Sequence, residues 1–392
     1  GTALAIKMIA YVGVAPIASA FADRLPRRAF LVSMDLVRAA IALVLPFVSE
    51  IWHVYVLIFA LQAASAAFTP MFQATIPDVL PEEKEYTKAL ALSRLAYDLE
   101  SLLSPTLAAA LLTMISFHWL FGGTAIGFIA SALLVVTVLL PQPKSTERTG
   151  GIYARTTRGT RIYLATPRLR GLLALNLAVA AAGAMVIVNT VVYVRDHLGL
   201  GNDQVAIALA AFGGGSMTAA LVLPRLLDQL RDRPVMLGGA GLLGAGLLLG
   251  LTGPGFAGLL PLWFLLGTGY SMVLTPTGRL LRRSAQPADR PALFAAQFAL
   301  SHACWLLTYP IAGWLGAAAG MTAAFAVLAG LVVVGIVAAA RLWPVGDPDV
   351  IEHEHTDLAS EHPHVHGAEP TVRGFRHAHA LIIDDLHRHW PA

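Results

Sequence analysis

The chain has 392 residues, of which 56% are hydrophobic and 13% charged, with a formal net charge of +3. Soluble domains carry about 25% charged residues, so this composition excludes a soluble globular protein and points to an integral membrane one. The single cysteine, Cys304, excludes a disulfide framework and any multi-cysteine metal cluster.

Windows long enough to cross about 30 Å of hydrocarbon predict eleven helices. In chain order they lie near 3–22, 29–48, 54–76, 88–115, 118–140, 171–194, 204–227, 235–252, 259–281, 291–315 and 320–341. Arg24, Arg27, Arg28, Lys84, Lys88, the run from Lys144 to Arg170, and Arg225 to Arg233 fall on one side of these spans. Arg279, Arg282, Arg283 and Arg290 join them, while the opposite loops offer Arg195 and little else. The excess of Lys and Arg predicts that this side, and the tail with it, is cytoplasmic. Gly239-Ala-Gly241-Leu-Leu-Gly244 fits a dinucleotide-binding string, but it lies within an apolar helix with no preceding strand, so helix packing explains it.

An internal repeat organises the spans. Ala22-Asp23-Arg24-Leu25-Pro26-Arg27-Arg28 is echoed by Leu227-Asp228-Gln229-Leu230-Arg231-Asp232-Arg233. Thr69-Pro70 with Pro81-Glu82-Glu83 is echoed by Thr275-Pro276 with Pro287-Ala288-Asp289, and Ser104-Pro105 by Tyr309-Pro310, all at an offset of 205 or 206. Matches at one spacing indicate two parallel halves, as in transporters built from tandem repeats. The expected units are an N-terminal bundle over 1–140, a basic linker over 141–170, a six-helix bundle over 171–341 and a tail over 342–392. The same offset puts the partner of helix 171–194 before residue 1, so a first helix of about 20 residues is expected to be missing.

The Asp23-Arg24…Arg27-Arg28 loop, continued by Asp35-Leu-Val-Arg38, resembles the signature of the major facilitator superfamily. The run Phe72-Gln-Ala-Thr-Ile-Pro77-Asp78-Val-Leu-Pro81-Glu82-Glu83 is similar to the branch holding macrolide and enterobactin exporters, and the His-rich tail to that branch's bacterial nickel-resistance exporters. Ser104-Pro105 stands where the antiporters' Gly-Pro would be. The resemblance implies an all-α integral membrane fold of two parallel helical bundles. It further implies a proton-driven exporter of the bacterial inner membrane, with no enzymatic activity and no permanently bound cofactor. Its partners would be the lipid bilayer, protons and Ni(II) or another divalent cation as substrate, and not nucleic acid. Asp23, Arg24, Arg27 and Arg28 would form a cytoplasmic gate; positive-inside topology alone would account for the arginines but not for Asp23. Drug or siderophore efflux, or a membrane-anchored metal sensor or store, are the other readings.

Charges within hydrocarbon cost at least ~2.5–3.5 kcal/mol each at a helix centre, so each needs a partner or a task. Asp35 and Arg38 (i, i+3), and Arg94 and Asp98 (i, i+4), fall on shared helix faces and can pair. Glu100 has no obvious local partner and is expected to carry a proton or bind a cation. His302 lies near mid-membrane, where a packing histidine is the plainer reading. Expelling a divalent cation against 100 mV costs roughly 4.6 kcal/mol, and one incoming proton returns half of that. Two titratable sites are therefore expected, with Asp98 and Glu100 the leading pair.

Nine of thirteen histidines occupy the tail: His353, His355, His362, His364, His366, His377, His379, His387 and His389. The tail is also acidic, with 3 Lys and Arg against 9 Asp and Glu from residue 342 onward. Imidazole interleaved with carboxylate suits Ni(II), Co(II), Zn(II) or Cu(II), whereas Cu(I) prefers thiolates. His-x-His puts both rings on one side of an extended strand. The tail is expected to buffer or deliver metal at the cytoplasmic mouth.

Overall fold

In the computed structural model, which describes residues 2–22, 25–141, 151–348, 350–356, 358–387 and 389–391, each of the eleven apolar stretches is helical. The first half contains α1 (Thr2–Ala22), α2 (Arg27–Val44), α3 (Ile51–Val79), α4 (Glu83–Leu112) and α5 (Phe117–Thr137). A further helix, α6 (Ile152–Ala165), runs inside the stretch read from sequence as a linker. The second half contains α7 (Pro167–Val192), α8 (Asn202–Leu227), α9 (Asp232–Gly250), α10 (Phe256–Leu274), α11 (Thr277–Arg283), α12 (Arg290–Ala318) and α13 (Gly320–Leu342). Among the described residues, 9 spans are long and apolar enough to cross a membrane; α1 and α4 fall short of that measure.

Local chemistry sets the breaks. Pro276 has no N–H to give to the preceding turn, and the predicted helix 259–281 divides there into α10 and α11. Pro167 opens α7 at a position where a missing N–H costs nothing. Gly320, at φ 84°, takes the left-handed conformation that turns the chain from α12 into α13.

The halves share one packing plan. At the 205-residue offset, α1, α2, α3, α4 and α5 answer to α8, α9, α10, α12 and α13. α1 packs on α3 as α8 does on α10, α2 on α5 as α9 on α13, and α2 on α3 as α9 on α10. α7 is the central helix of the second half: the span Pro167–His197 is 72% buried, against 11% for Ile51–Val79 and 17% for Phe117–Thr137. Its Leu172, Leu175, Val179 and Met185 join Trp263, Phe325 and Leu328 in the main core. Helix contacts depend on small residues, as expected where lipid removes the hydrophobic drive between helices. A Cβ on Gly239 would lie 2.6 Å from that of Met272 and 2.9 Å from the Gly269 carbonyl on α10, while one on Gly244 would meet Val332 of α13 at 3.4 Å, so the glycine string serves helix packing. The halves meet where α1 and α3 pack on α12 and where α4 packs on α8.

After α13 the tail forms a three-stranded antiparallel sheet in the order β1-β3-β2, from β1 (Val350–His355), β2 (Glu369–Pro370) and β3 (Phe375–Ala380). It is seated on the helices. Ile383 joins the main core, the Arg168 guanidinium lies 5.2 Å from the Trp390 ring centroid, and Arg158 pairs with Asp385 at 3.1 Å.

Candidate functional site

The basic end of the bundle is closed by ion pairs between the halves. Arg27, at the start of α2, donates from Nη1 to Asp78 Oδ2 at 2.6 Å and to the Pro141 carbonyl at 3.2 Å. Asp78 also pairs with Arg290 at the start of α12, so one carboxylate near the end of α3 ties both halves together. Arg28 donates to the Val138 carbonyl at 2.7 Å. Asp23 and Arg24 lie outside the described residues. A second group centres on Arg279 of α11, which pairs with Glu83 of α4 at 2.6 Å and with Asp232 of α9 at 3.0 Å. Asp232 in turn pairs with Arg283 at 3.2 Å.

The two groups are related by the repeat with their signs exchanged. Arg27 and Asp78 correspond, at 205 residues, to Asp232 and Arg283. The sequence carried this signal: an acid and a base swap places at both ends of one offset. Asp78 was quoted there only as part of a motif, because its partner Arg290 is set by tertiary packing.

Further into the bundle the predicted charges divide between two roles. Asp35 pairs with Arg38, whose guanidinium lies between the Phe68 and Phe128 rings at 4.1 and 4.6 Å, wholly within the first half. Asp98 is 4% exposed, and both of its oxygens are engaged. Arg94 donates from Nε to Oδ2 at 3.1 Å and from Nη2 to Oδ1, and Ser216 of α8 donates its hydroxyl to Oδ2 at 2.5 Å. The Arg94 guanidinium also lies 5.0 and 4.9 Å from the Tyr97 and Tyr270 ring centroids. Asp98 thus clamps α4 to α8, while Glu100, on another face of α4, is exposed.

Glu100 feels a cation that local spacing could not reveal. Lys7 of α1 lies within its electrostatic reach and within that of His302. The Lys7 ammonium is 5.4 Å from the Tyr11 ring centroid, and Tyr11 meets the His302 ring edge-on at 4.7 Å. The Tyr11 hydroxyl donates to Gln62 Oε1 at 2.9 Å. His302 Nδ1 lies 2.7 Å from the Phe298 carbonyl, so its proton sits there and Nε2 keeps a lone pair. Lys7, Tyr11 and His302 thus bring a cation, a phenol and an imidazole together where α1 packs on α12, with the Glu100 carboxylate of α4 in the electrostatic field of Lys7.

In the tail, six of the nine histidines converge. His353 and His355 alternate on one face of β1, and His377 and His379 do so on β3, with His353 directly opposite His377. The short turn Pro363–Val365 brings in His364, and the loop after β3 brings in His387. The return before β3 is tight: a Cβ on Gly374 would lie 1.9 Å from the His355 carbonyl oxygen. Nε2 of His387 is 3.1 Å from that of His353 and 3.2 Å from that of His364; the His353 and His377 Nε2 atoms are 3.2 Å apart. Outer partners fix the tautomers. Nδ1 of His353 faces the Ile351 carbonyl at 3.1 Å, that of His379 the Ala380 carbonyl at 2.9 Å, and that of His387 the Asp384 carboxylate at 3.0 Å. The Nδ1 protons go to these acceptors, so the Nε2 lone pairs face inward, as in histidines that ligate a metal.

Burial, and then the neighbouring imidazoles, push His364 and His377 down to about 4, and His353 is lowered by burial as well. At neutral pH these rings are therefore neutral ligands. His362, His366 and His389 are not brought in: the His362 ring accepts the His364 backbone N–H at 3.2 Å, and His366 and His389 are exposed.

Comparison with known proteins bears on the whole chain. A family described as Major Facilitator Superfamily matches residues 1–175 and 172–380. The uncharacterized MFS-type transporter YfiS of Bacillus subtilis is 24% identical over 288 residues, covering 70% of this chain and 67% of that one. Macrolide efflux protein A of Streptococcus pyogenes is 26% identical over 153 residues, 36% of this chain and 38% of its own length. Among solved structures, a bacterial homologue of the iron transporter ferroportin in an outward-facing state aligns with TM-score 0.68 at 15% identity, over 86% of this chain and 88% of that one. The E. coli fucose:proton symporter FucP aligns with TM-score 0.66 at 17% identity, over 88% and 91%. At such identities these likenesses carry the fold alone.

Proposed function

The chain belongs to the Major Facilitator Superfamily and is a multi-pass membrane transporter rather than an enzyme; from that premise we propose that it exports a divalent metal cation, nickel foremost, in exchange for protons. The observation that carries this reading is the group of inward-turned imidazoles seated at the basic end of the bundle. A transporter of organic molecules has no use for six converging histidines beside its mouth. On the positive-inside rule that mouth is cytoplasmic, so the tail meets metal before export; the family resemblance implies the bacterial inner membrane. Its position outside the helices makes it a buffer or delivery site and not the translocation site.

The protons need sites within the bundle. Two are required if the metal leaves against the membrane potential without help from a pH gradient, since each proton returns only about 2.3 kcal/mol per 100 mV. Glu100 and His302 fit that task better than Asp98, whose oxygens are occupied by Arg94 and Ser216. Lys7, within the electrostatic reach of Glu100, offers a cation that gives way when a metal ion approaches. The likeness to a macrolide efflux protein favours an organic cargo instead.

Cells expressing the full chain are expected to accumulate less Ni(II) and Co(II) than cells expressing the Glu100→Gln variant, at equal amounts of protein in the membrane. Metal content measured beside the uptake of a panel of antibiotics decides between cargoes. Unchanged metal with reduced macrolide accumulation would transfer the chain to organic efflux. Export undiminished by Glu100→Gln would remove that carboxylate from the mechanism.

A further inference from the structure

We infer that the tail is a single six-coordinate metal centre, an octahedral cage of His353, His355, His364, His377, His379 and His387. This inference rests on the reading of the tail as a metal handler but not on export. The arrangement of the rings carries it. Ring centroids of neighbouring members lie 4.6–5.3 Å apart, and the planes meet at 60–89°. Among these contacts every ring neighbours all the others save one. The pairs left over, His353 with His364, His355 with His379, and His377 with His387, share no member. Six points joined in that way are the corners of an octahedron, with the left-over pairs as its diagonals.

The nitrogens have the matching scale. Three of the edges have Nε2 atoms 3.1–3.2 Å apart, and an octahedron of that edge has its centre about 2.2 Å from each corner, close to a metal–imidazole bond length. The same edges imply a diagonal of about 4.5 Å, and ligand atoms of His353 and His364 do lie within 4.8 Å of one another. Hydrogen bonding between neutral rings does not explain the contact of His353 with His387. His353 and His387 both direct their Nδ1 protons outward, so their Nε2 atoms meet at 3.1 Å as two lone pairs. Such a contact is repulsive unless a cation lies between them. Nε2 of His379 is buried and has no hydrogen-bond partner among the described residues, as an atom reserved for a ligand would be.

Six imidazoles select among cations by geometry. Zn(II) has no electronic preference and settles in four-ligand tetrahedral sites, and Cu(II) prefers a tetragonal arrangement. Ni(II) and, less strongly, Co(II) gain ligand-field stabilisation from six nitrogens. The cage therefore takes one octahedral first-row divalent ion per chain and discriminates against Zn(II) by offering more ligands than zinc uses.

The test is titration of the purified full-length chain in detergent with Co(II) salts, followed by competition. Saturation at one Co(II) per chain is expected, with the weak visible bands of six-coordinate cobalt, displacement by Ni(II) and retention against equimolar Zn(II). His379→Ala and, separately, His377→Ala should each change the band pattern and weaken binding by ~10-fold or more, the scale on which loss of even a supporting group acts. The combined His362→Ala/His366→Ala/His389→Ala variant should leave spectrum and stoichiometry unchanged. Strong tetrahedral bands, two ions per chain, stoichiometric displacement by Zn(II), or no binding would each overturn the inference. These outcomes are read on the wild-type chain, so they stand whether or not a variant folds, and none depends on transport.

Discussion

Asp98→Asn is expected to destabilise the protein, whereas Glu100→Gln is expected to disable transport and leave the fold intact. Among the described residues, Asp98 is the only carboxylate paired with the Arg94 guanidinium, which otherwise rests on the Tyr97 and Tyr270 rings. Removing one partner of a buried ion pair costs about 3–5 kcal/mol, chiefly because the surviving charge stays desolvated. Asparagine can still accept one hydrogen bond, but it cannot neutralise Arg94, and Ser216 loses a charged acceptor. The α4–α8 contact is close: a Cβ on Gly213 would lie 2.3 Å from Leu102 Cδ1. Loss of the clamp therefore loosens one of the seams between the halves. The thermal midpoint of the detergent-solubilised protein measures this. Adding Arg94→Gln to Asp98→Asn removes the stranded charge, and the double variant should recover most of the loss because the two residues act as a unit. A stable Asp98→Asn protein that folds normally but no longer responds to a proton gradient would return Asp98 to the list of proton carriers.

The contrast between these neighbours shows what the sequence could reveal. Hydropathy located all eleven apolar helices, and i, i+3 and i, i+4 spacing identified the Asp35–Arg38 and Arg94–Asp98 pairs. Local spacing could not identify Ser216, Lys7 or Arg290, which arrive from other helices by packing. Helix α6 was hidden by its charges, since Arg155, Arg158 and Arg161 read as part of a basic linker. Its buried side is narrow, made of Gly159, Ile162 and Tyr163. Gly159 presses so closely on α12 that a Cβ there would lie 1.9 Å from the Ala292 carbonyl oxygen. In the tail, composition suggested metal, and His-x-His spacing suggested rings aligned along a strand. The choice of six histidines from nine was not legible. It depends on the register that sets His353 against His377, and on Val365, Leu381 and Ile383, which bury themselves and draw His364 and His387 inward.

The same seat ties the tail to the gate. Asp384 holds the His387 Nδ1–H and accepts from the Gln286 side chain at 3.2 Å, while Asp385 meets Arg158. Arg158 pairs with Asp289 at 2.6 Å, and Asp289 precedes Arg290, the second-half partner of Asp78. Charged groups in sequence thus join the histidine cage to the closed end of the bundle.

Asp78→Asn is the substitution expected to open that end. Asp78 takes Arg27 from the first half and Arg290 from the second, and its side chain is 9% exposed. Asparagine leaves two guanidinium groups facing each other with no anion between them. Attraction across the seam becomes repulsion, and the penalty of about 3–5 kcal/mol falls on the closed state alone, because separation returns both arginines to water. At 1.4 kcal/mol per factor of ten, a shift of that size moves the closed-to-open ratio by roughly two to three and a half orders of magnitude. Alternating access needs both states, so transport should fall although no residue of the midplane has changed. The cavity beneath the gate supplies a reporter. It is lined by Ala15, Ser19, Phe30, Met71, Pro291 and Ala295 from both halves, and Ser19 is 8% exposed. With Cys304→Ser removing the native thiol, Ser19→Cys should react slowly with a membrane-impermeant thiol reagent. Adding Asp78→Asn should raise the rate at least ~10-fold. Arg290→Gln should act more weakly, since it cuts the link between the halves but leaves Arg27 on Asp78. Equal, slow labelling in all three backgrounds would mean that the second cluster, Glu83–Arg279–Asp232, keeps the end shut by itself and that the charge-exchanged pairs do not share the load.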